Sequence, residues 1–354
     1  MHILHVVGAR PNFMKAAPVL TALRKRANVQ QTVVHTGQHY DPNMSSVFFA
    51  QLGIPQPDAN LEVGSGSHAQ QTSAIMSAFE REVLQRRPDV VVVYGDVNST
   101  VAAALVCSKL LIPIVHVEAG LRSFDRTMPE EINRLLTDQI ADMLFTPSAD
   151  ADQNLTREGI AIEKIFRVGN VMIDSLIRLF PACEQYKIGG LPRQYAVVTL
   201  HRPSNVDAPD VLGRIVETLS QIDSRLPIVF PVHPRTRQRI SDLGLNPHSM
   251  RLLEPLPYME FLALVRDSTA VITDSGGIQE ETTYLGIPCL TLRRNTERPI
   301  TVEMGTNTLV GDDLAELKSQ LERILDGAGK KGSVPPLWDG QASERIANAL
   351  VSNG

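Results

Sequence analysis

Short apolar runs recur along this chain, each followed by a polar loop and then by a stretch whose apolar residues repeat at helical spacing. Residues 2–7, Gln31–His35, Asp89–Tyr94, Ile114–Val117, Asp142–Thr146 and Ile165–Val168 read as six strands of a first domain. The Asp89–Tyr94 run is continuously β-branched rather than alternating, as expected of a strand buried on both faces of a parallel sheet. The rhythm restarts at Tyr195–Leu200 and continues through Ile228–Val232, Met250–Leu253, Ala270–Thr273 and Cys289–Leu292. Strands alternating with helices predict an α/β chain made of two Rossmann-like, doubly wound domains.

Gly189-Gly190-Leu191-Pro192 marks the expected hinge, separating a domain over 1–180 from one over 190–340. The apolar piece Ile346–Val351 is expected to be a helix docking on one of the domains, so that 341–354 completes the first. Within the first domain, the turn Gly8–Asn12 should feed a helix that runs to about Leu23. Pro129 should open another, since proline suits the first helical position. There Ile132, Leu135, Leu136 and Ile140 share one face, which is expected to meet the core.

A length of 354 residues agrees with two domains. The net charge of −5 gives no global field to attract nucleic acid or an anionic membrane. No apolar run approaches the roughly 20 residues of a spanning helix. The start, Met1 to Gly8, lacks a basic leader and is expected to be a first strand. Cys107, Cys183 and Cys289 are scattered and odd in number, expected as reduced core thiols of a cytoplasmic protein.

The chemistry gathers where strands end, which is where open α/β sheets place their ligands. Arg10 and Lys15 follow the first strand near a helix N-terminus, a ready anion site or else two solvated cations. A single glycine there excludes both a dinucleotide fingerprint and a P-loop. Asp96 ends one strand and Glu118 the next; Glu130 and Glu131 open the helix that follows. Each of these acids has a plain alternative as a helix cap. His35 and His39 flank a turn rather than a helix face and have no third ligand, so no metal is expected. In the second half, His201 and His233 follow strands directly with Arg202 and Arg235 close by. Ser275-Gly276-Gly277 precedes a helix, and its N–H groups can approach a phosphate. Glu281, one turn in, is placed to grip ribose hydroxyls.

Taken in order, Gly8-Ala9-Arg10-Pro11…Lys15, Gly95-Asp96, His116-Val117-Glu118-Ala119-Gly120-Leu121-Arg122, Pro129-Glu130-Glu131…Asn133-Arg134, His201-Arg202 and Asp274-Ser275-Gly276-Gly277-Ile278-Gln279-Glu280-Glu281 resemble the non-hydrolysing UDP-N-acetylglucosamine 2-epimerases. The resemblance runs in register from residue 3 to about 311. It implies a glycosyltransferase-B-like fold with an interdomain cleft, usually a homodimer, and no redox cofactor. It also implies reversible conversion of UDP-N-acetylglucosamine to UDP-N-acetylmannosamine for surface polysaccharide synthesis. By the same resemblance Arg10, Lys15, Asp96, Glu118, Glu130 and His201 line the reacting end. Ser275, Gly276, Gly277, Glu281 and Arg298 hold UDP, with contacts near Leu256 and Phe261, and Arg202 and His233 are added as substrate-binding residues. Two departures stand out: Pro203-Ser204 replace the Arg-Glu of many relatives, and Asn12 replaces an acid. An activating second substrate site is therefore not carried over.

In that family UDP is eliminated across C1–C2, giving 2-acetamidoglucal, and is added back after protonation on the other face. Carboxylates can take and return such a proton if their pKa values are raised toward neutrality. Three carboxylates in one cleft would raise at least one of them. Three other readings remain. One is a 2-epimerase of a UDP-diacetamido-uronate, which residues 34–55 and Gly120–Ser123 also resemble. The others are a glycosyltransferase of the same fold and a non-catalytic nucleotide-sugar binder.

Overall fold

Two parallel sheets organise the computed structural model, which describes residues 1–38, 52–245 and 250–353. The chain divides into one unit of Met1–Arg178 with Pro336–Gly354 and a second of Leu179–Pro335. In the first unit the strands are β1 (His2–Val7), β2 (Gln30–His35), β3 (Ala59–Asn60), β4 (Val90–Tyr94), β5 (Ile114–Val117), β6 (Met143–Thr146) and β7 (Ile165–Arg167). Their order is β3-β2-β1-β4-β5-β6-β7, and every pairing is parallel. In the second unit β8 (Ala196–Thr199), β9 (Ile228–Pro231), β10 (Arg251–Leu253), β11 (Ala270–Thr273), β12 (Cys289–Thr291) and β13 (Asn307–Leu309) run in the order β10-β9-β8-β11-β12-β13, again all parallel. Each sheet winds outward one way and then the other. A switch point therefore lies between β1 and β4 in the first unit and between β8 and β11 in the second. Two such units are the ingredients of a glycosyltransferase-B-like fold.

The expected strands are present with ends shifted by a residue or so, and two more appear. Ala59–Asn60 adds an edge to the first sheet, making seven strands rather than six, and Asn307–Leu309 adds one to the second. Both are too short and polar for a periodic signal. The centre of the first sheet is as apolar as its sequence demands: Val91, Val92 and Val93 are fully buried. Each such side chain contributes on the order of 1.5–3 kcal/mol, so a charge at Val92 would break the sheet. The thiols are free and buried, with burial pushing Cys107 up to about 12 and Cys289 to about 11.

The Pro129–Ile140 helix departs from expectation. Ile132, Leu135 and Ile140 are only half-buried and Leu136 is 46% exposed, while Glu131, Arg134, Thr137 and Asp138 face inward. The reason is electrostatic. Each inward charge meets an opposite one: Glu131 meets Arg134, Arg134 also meets Asp96, and Asp138 meets Arg122 and His116. Buried charges are tolerated when paired and hydrogen-bonded in this way.

The C-terminal segment belongs to the first unit. Trp338 donates its indole N–H to the Pro147 carbonyl at 3.1 Å. Asp174 accepts from the N–H groups of Ala342 and Ser343, the first residues of the Ala342–Asn353 helix. Glu344 on that helix pairs with Lys25 and Arg26. Among the described residues no helix is long and apolar enough to cross a membrane.

Candidate active site

In the first unit the candidate residues lie around the switch point. The β1 strand turns at Gly8-Ala9 into the Arg10–Arg24 helix, and Asn12 fixes the turn by accepting from the Gly8 and Ala9 N–H groups. The same side chain donates to the Tyr94 carbonyl at 2.7 Å, joining the ends of β1 and β4. An amide can do both, whereas an ionised acid at this position could only accept. The Arg10 side chain and His39 lie outside the described residues. His35 hydrogen-bonds Asn60 at 3.2 Å and stacks on Phe13.

Lys15, one turn into the helix, does not stand as a solvated cation; it is buried in an ion pair with Glu118. Glu118 emerges from β5 with φ at +73°, an uncommon conformation for a non-glycine residue and a mark of a constrained site. Gly95 at the end of β4 is required by that pair. A Cβ there would lie 2.5 Å from the Lys15 Nζ. Asp96 follows and is ion-paired with Arg134, its side chain 22% exposed. Lys15 and Glu118 are thus brought together, and Asp96 has its own cation.

The two glutamates of the Pro129 turn separate cleanly. Glu131 is buried and accepts from the Ser123 N–H, the Phe124 N–H and Arg134. Burial pushes its carboxyl up, but the Ser123 N–H and the Arg134 guanidinium outweigh burial and hold it below the usual range. Glu130 is exposed and lines a cavity of about 320 Å³ together with Asp96. Gln38, His68, Gln71, Asn98 and Asn133 line the same cavity; of these, Asn133 stands in one of the quoted motifs, while His68 and Gln71 carry no motif. One signal was available: His68 and Asn98 each stand first in a helix, where polar side chains face the strand ends. Side-chain amides bond one another there, Asn98 Nδ2 to Gln71 Oε1 at 2.9 Å and Asn133 Nδ2 to Asn98 Oδ1 at 3.3 Å, so the wall is polar and held within the chain.

In the second unit the switch point is organised by Asp274, which follows β11 and is fully buried. It accepts from the His201 and Arg202 N–H groups, from Asn205 at 3.0 Å and from the His201 ring at 2.9 Å. Burial raises its carboxyl, yet His201 and these donors together bring it below the ordinary aspartate value. His201 itself is largely exposed. Ser275 stands at the N-cap position of the Gly276–Leu285 helix without a side-chain capping bond. Gly276 has no room for a side chain, since a Cβ would lie 2.5 Å from Glu297 and 2.6 Å from Arg298, whereas Gly277 faces open space.

Arg298 is not an unpaired phosphate ligand: it meets Glu280 at 2.8 Å and also Glu297. Glu281 is buried and accepts from the Tyr258 hydroxyl at 2.8 Å. Leu256 and Phe261 pack against the cluster of Tyr195, Val229 and Leu264. His233 is exposed and caps the Pro234–Asp242 helix through the Arg235 N–H. The Ser275-Gly276-Gly277 turn presents backbone N–H groups at a helix start.

A family model described as UDP-N-acetylglucosamine 2-epimerase matches residues 21–351. A protein of Methanocaldococcus jannaschii named UDP-N-acetylglucosamine 2-epimerase is 43% identical, over 99% of each chain. One of Pseudomonas aeruginosa named UDP-2,3-diacetamido-2,3-dideoxy-D-glucuronate 2-epimerase is 45% identical, again over 99% of each. Among solved structures, the M. jannaschii UDP-GlcNAc 2-epimerase in complex with UDP-GlcNAc and UDP is similar at a TM-score of 0.92, with 42% identity over 99% of this chain and 100% of that one.

Proposed function

Because the chain belongs to the UDP-N-acetylglucosamine 2-epimerase family and is thus an isomerase, we propose that it interconverts UDP-N-acetylglucosamine and UDP-N-acetylmannosamine by eliminating and re-adding UDP. The observation that carries the reading is the grouping at the first switch point. Glu118 with Lys15, Asp96 with Arg134 and an exposed Glu130 follow strands whose ends point one way. A base removes the C2 proton while the C1–O bond to UDP breaks, and the electron pair of the C–H bond becomes the C1–C2 double bond. A proton then returns to C2 from the opposite face and UDP re-forms its bond to C1. No hydride moves, so the cycle is redox-neutral.

In this reading Asp96, Glu118 and Glu130 handle the proton, and Lys15, Arg10 and His201 serve the reacting end. The second unit holds UDP through the N–H groups of Ser275, Gly276 and Gly277, with Glu281 on the ribose and Arg202, His233, Leu256, Phe261 and Arg298 completing the pocket. A carboxylate 4 Å from a phosphate charge costs about 4 kcal/mol at intermediate dielectric. Pairing Glu280 and Glu297 with Arg298 removes that repulsion from the UDP turn.

A second reading is favoured by the identity to the P. aeruginosa protein: the sugar is a UDP-2,3-diacetamido-uronate. One experiment addresses both. Each UDP-sugar is incubated with the protein in heavy water and followed by NMR. Epimer carrying deuterium at C2 is expected from UDP-N-acetylglucosamine; epimer without deuterium would sink the elimination, and turnover of the uronate alone would transfer the assignment to it.

A further inference from the structure

We propose that His116 is a positioning residue that holds the Gly95 peptide, and through it the orientation of the Asp96 carboxylate, an inference that rests on Asp96 acting in the reaction proposed above. The turn Tyr94-Gly95-Asp96 has every carbonyl tied to a side chain from another element. Tyr94 O accepts from Asn12 at 2.7 Å and Thr100 at 2.8 Å, Gly95 O from His116 Nε2 at 2.8 Å, and Asp96 O from Asn133 at 2.8 Å. The Gly95 N–H donates to the Val117 carbonyl at 3.0 Å.

Gly95 sits at φ +60°, a conformation that side chains rarely adopt, and a Cβ there would lie 2.5 Å from the Nζ of Lys15, displacing it from Glu118. A glycine is also the residue most free to rotate. The position that sterics force to be glycine is therefore the one that most needs its peptide plane held, directly before Asp96.

His116 is suited to this by its own partners. Its Nδ1 faces Asp138 Oδ1 at 2.6 Å. A carbonyl only accepts, so the bond to Gly95 O is donated by the Nε2–H, while Nδ1 is engaged by the Asp138 carboxylate and fixes the ring. Asp138 is fixed in turn by the Gly120 N–H at 3.1 Å and by Arg122 at 2.7 Å, and Arg122 by Glu158 at 2.6 Å. His116, Arg122 and Asp138 are all buried.

Two substitutions separate the ring's two bonds, because an asparagine amide nitrogen falls near Nδ1 and a glutamine amide nitrogen near Nε2. His116→Asn keeps the Asp138 bond and frees Gly95 O; His116→Gln keeps the Gly95 bond and frees Asp138. Rates with UDP-N-acetylglucosamine are normalised to UDP stoichiometry by calorimetry, so that an unfolded fraction cancels. The expected result is kcat about 100-fold down in His116→Asn, the scale of a misaligned reacting group. His116→Gln should stay within about fivefold of the parent, with KM in both within about twofold and the lower Tm in His116→Gln. Equal losses, a loss that follows Tm or KM instead, or a His116→Gln protein with no UDP-binding fraction would overturn the proposal. If the unaltered protein forms no epimer, the assigned reaction fails; if it does and His116→Asn keeps its rate, the positioning role fails.

Discussion

Asp96 and Asp274 occupy equivalent places in the two sheets, each following the strand beside its switch point, yet their surroundings are opposite. Asp274 has no exposure and meets two backbone N–H groups, an asparagine amide and an imidazole. Asp96 has one cation, remains partly open and looks into a polar cavity. A carboxylate accepts at about four lone-pair positions. When all are answered within the chain the group organises a loop; when some are open it can meet a ligand. Strand position alone decides neither. The same contrast divides Glu131, clamped by the Ser123 loop, from its neighbour Glu130 on the cavity wall.

The contrast is sharpened most by substitutions that change charge and keep shape. Asp96→Asn, Glu118→Gln and Glu130→Gln are expected to lower turnover at least about 100-fold, the loss typical of general acid–base groups, with little change in UDP affinity by calorimetry. Glu131→Gln should hold the folded protein's turnover within a few-fold while lowering stability by about 3 kcal/mol, since it breaks a buried pair, whereas Glu118→Gln, which breaks the buried pair with Lys15, should lower both. Urea unfolding and steady-state assays on the same four proteins measure both. A Glu130→Gln protein with normal turnover would remove Glu130 from the chemistry and leave Asp96 on the cavity wall.

A smaller effect belongs to the second unit. Glu281→Ala removes the acceptor of the Tyr258 hydroxyl and the proposed ribose contact. UDP should bind about tenfold more weakly, close to 1.4 kcal/mol, while turnover at saturating substrate stays within about threefold. Tyr258→Phe leaves the carboxylate in place and should weaken UDP less. Unchanged calorimetric affinity in Glu281→Ala would reduce that residue to a fold determinant like Asp274.

The strands of both sheets were legible because parallel strands buried on two faces must be continuous apolar runs, as at 89–94 and 270–273. Ala59–Asn60 and Asn307–Leu309 were not, being two and three residues long at sheet edges. In the Pro129–Ile140 helix the spacing locates an apolar face without saying how much of it meets the core: Ile140 packs against it, while Leu136 is 46% exposed. Here paired charges took the inner face. Loops at strand ends located the candidate acids, but spacing could not show what each acid meets. Arg134 lies 38 positions from Asp96, and Tyr258 lies 23 from Glu281. Such pairings arise only when the sheet brings distant turns together. Arg298 beside Glu297 was the exception, a neighbouring acid readable in the sequence and a reason not to expect a free cation there.

The smallest expected effect tests whether Asp274 depends on the exposed histidine or on its buried donors. His201→Ala removes the ring contact at 2.9 Å but keeps the backbone N–H that also reaches Asp274. Because the ring is 60% exposed, water screens the pair, and the stability loss near neutral pH should stay below about 1 kcal/mol. Its sign follows from linkage. The folded Asp274 carboxyl lies below its ordinary value of 3.8, so the stability it provides is present above that value and lost as pH falls through the folded one. Urea unfolding of both proteins along a descending pH series should therefore show the difference between them closing once Asp274 is protonated. A gap well above 1 kcal/mol at neutral pH, or one that widens at the acid end, would show that the exposed ring, and not the buried donors, holds Asp274 in its organising role.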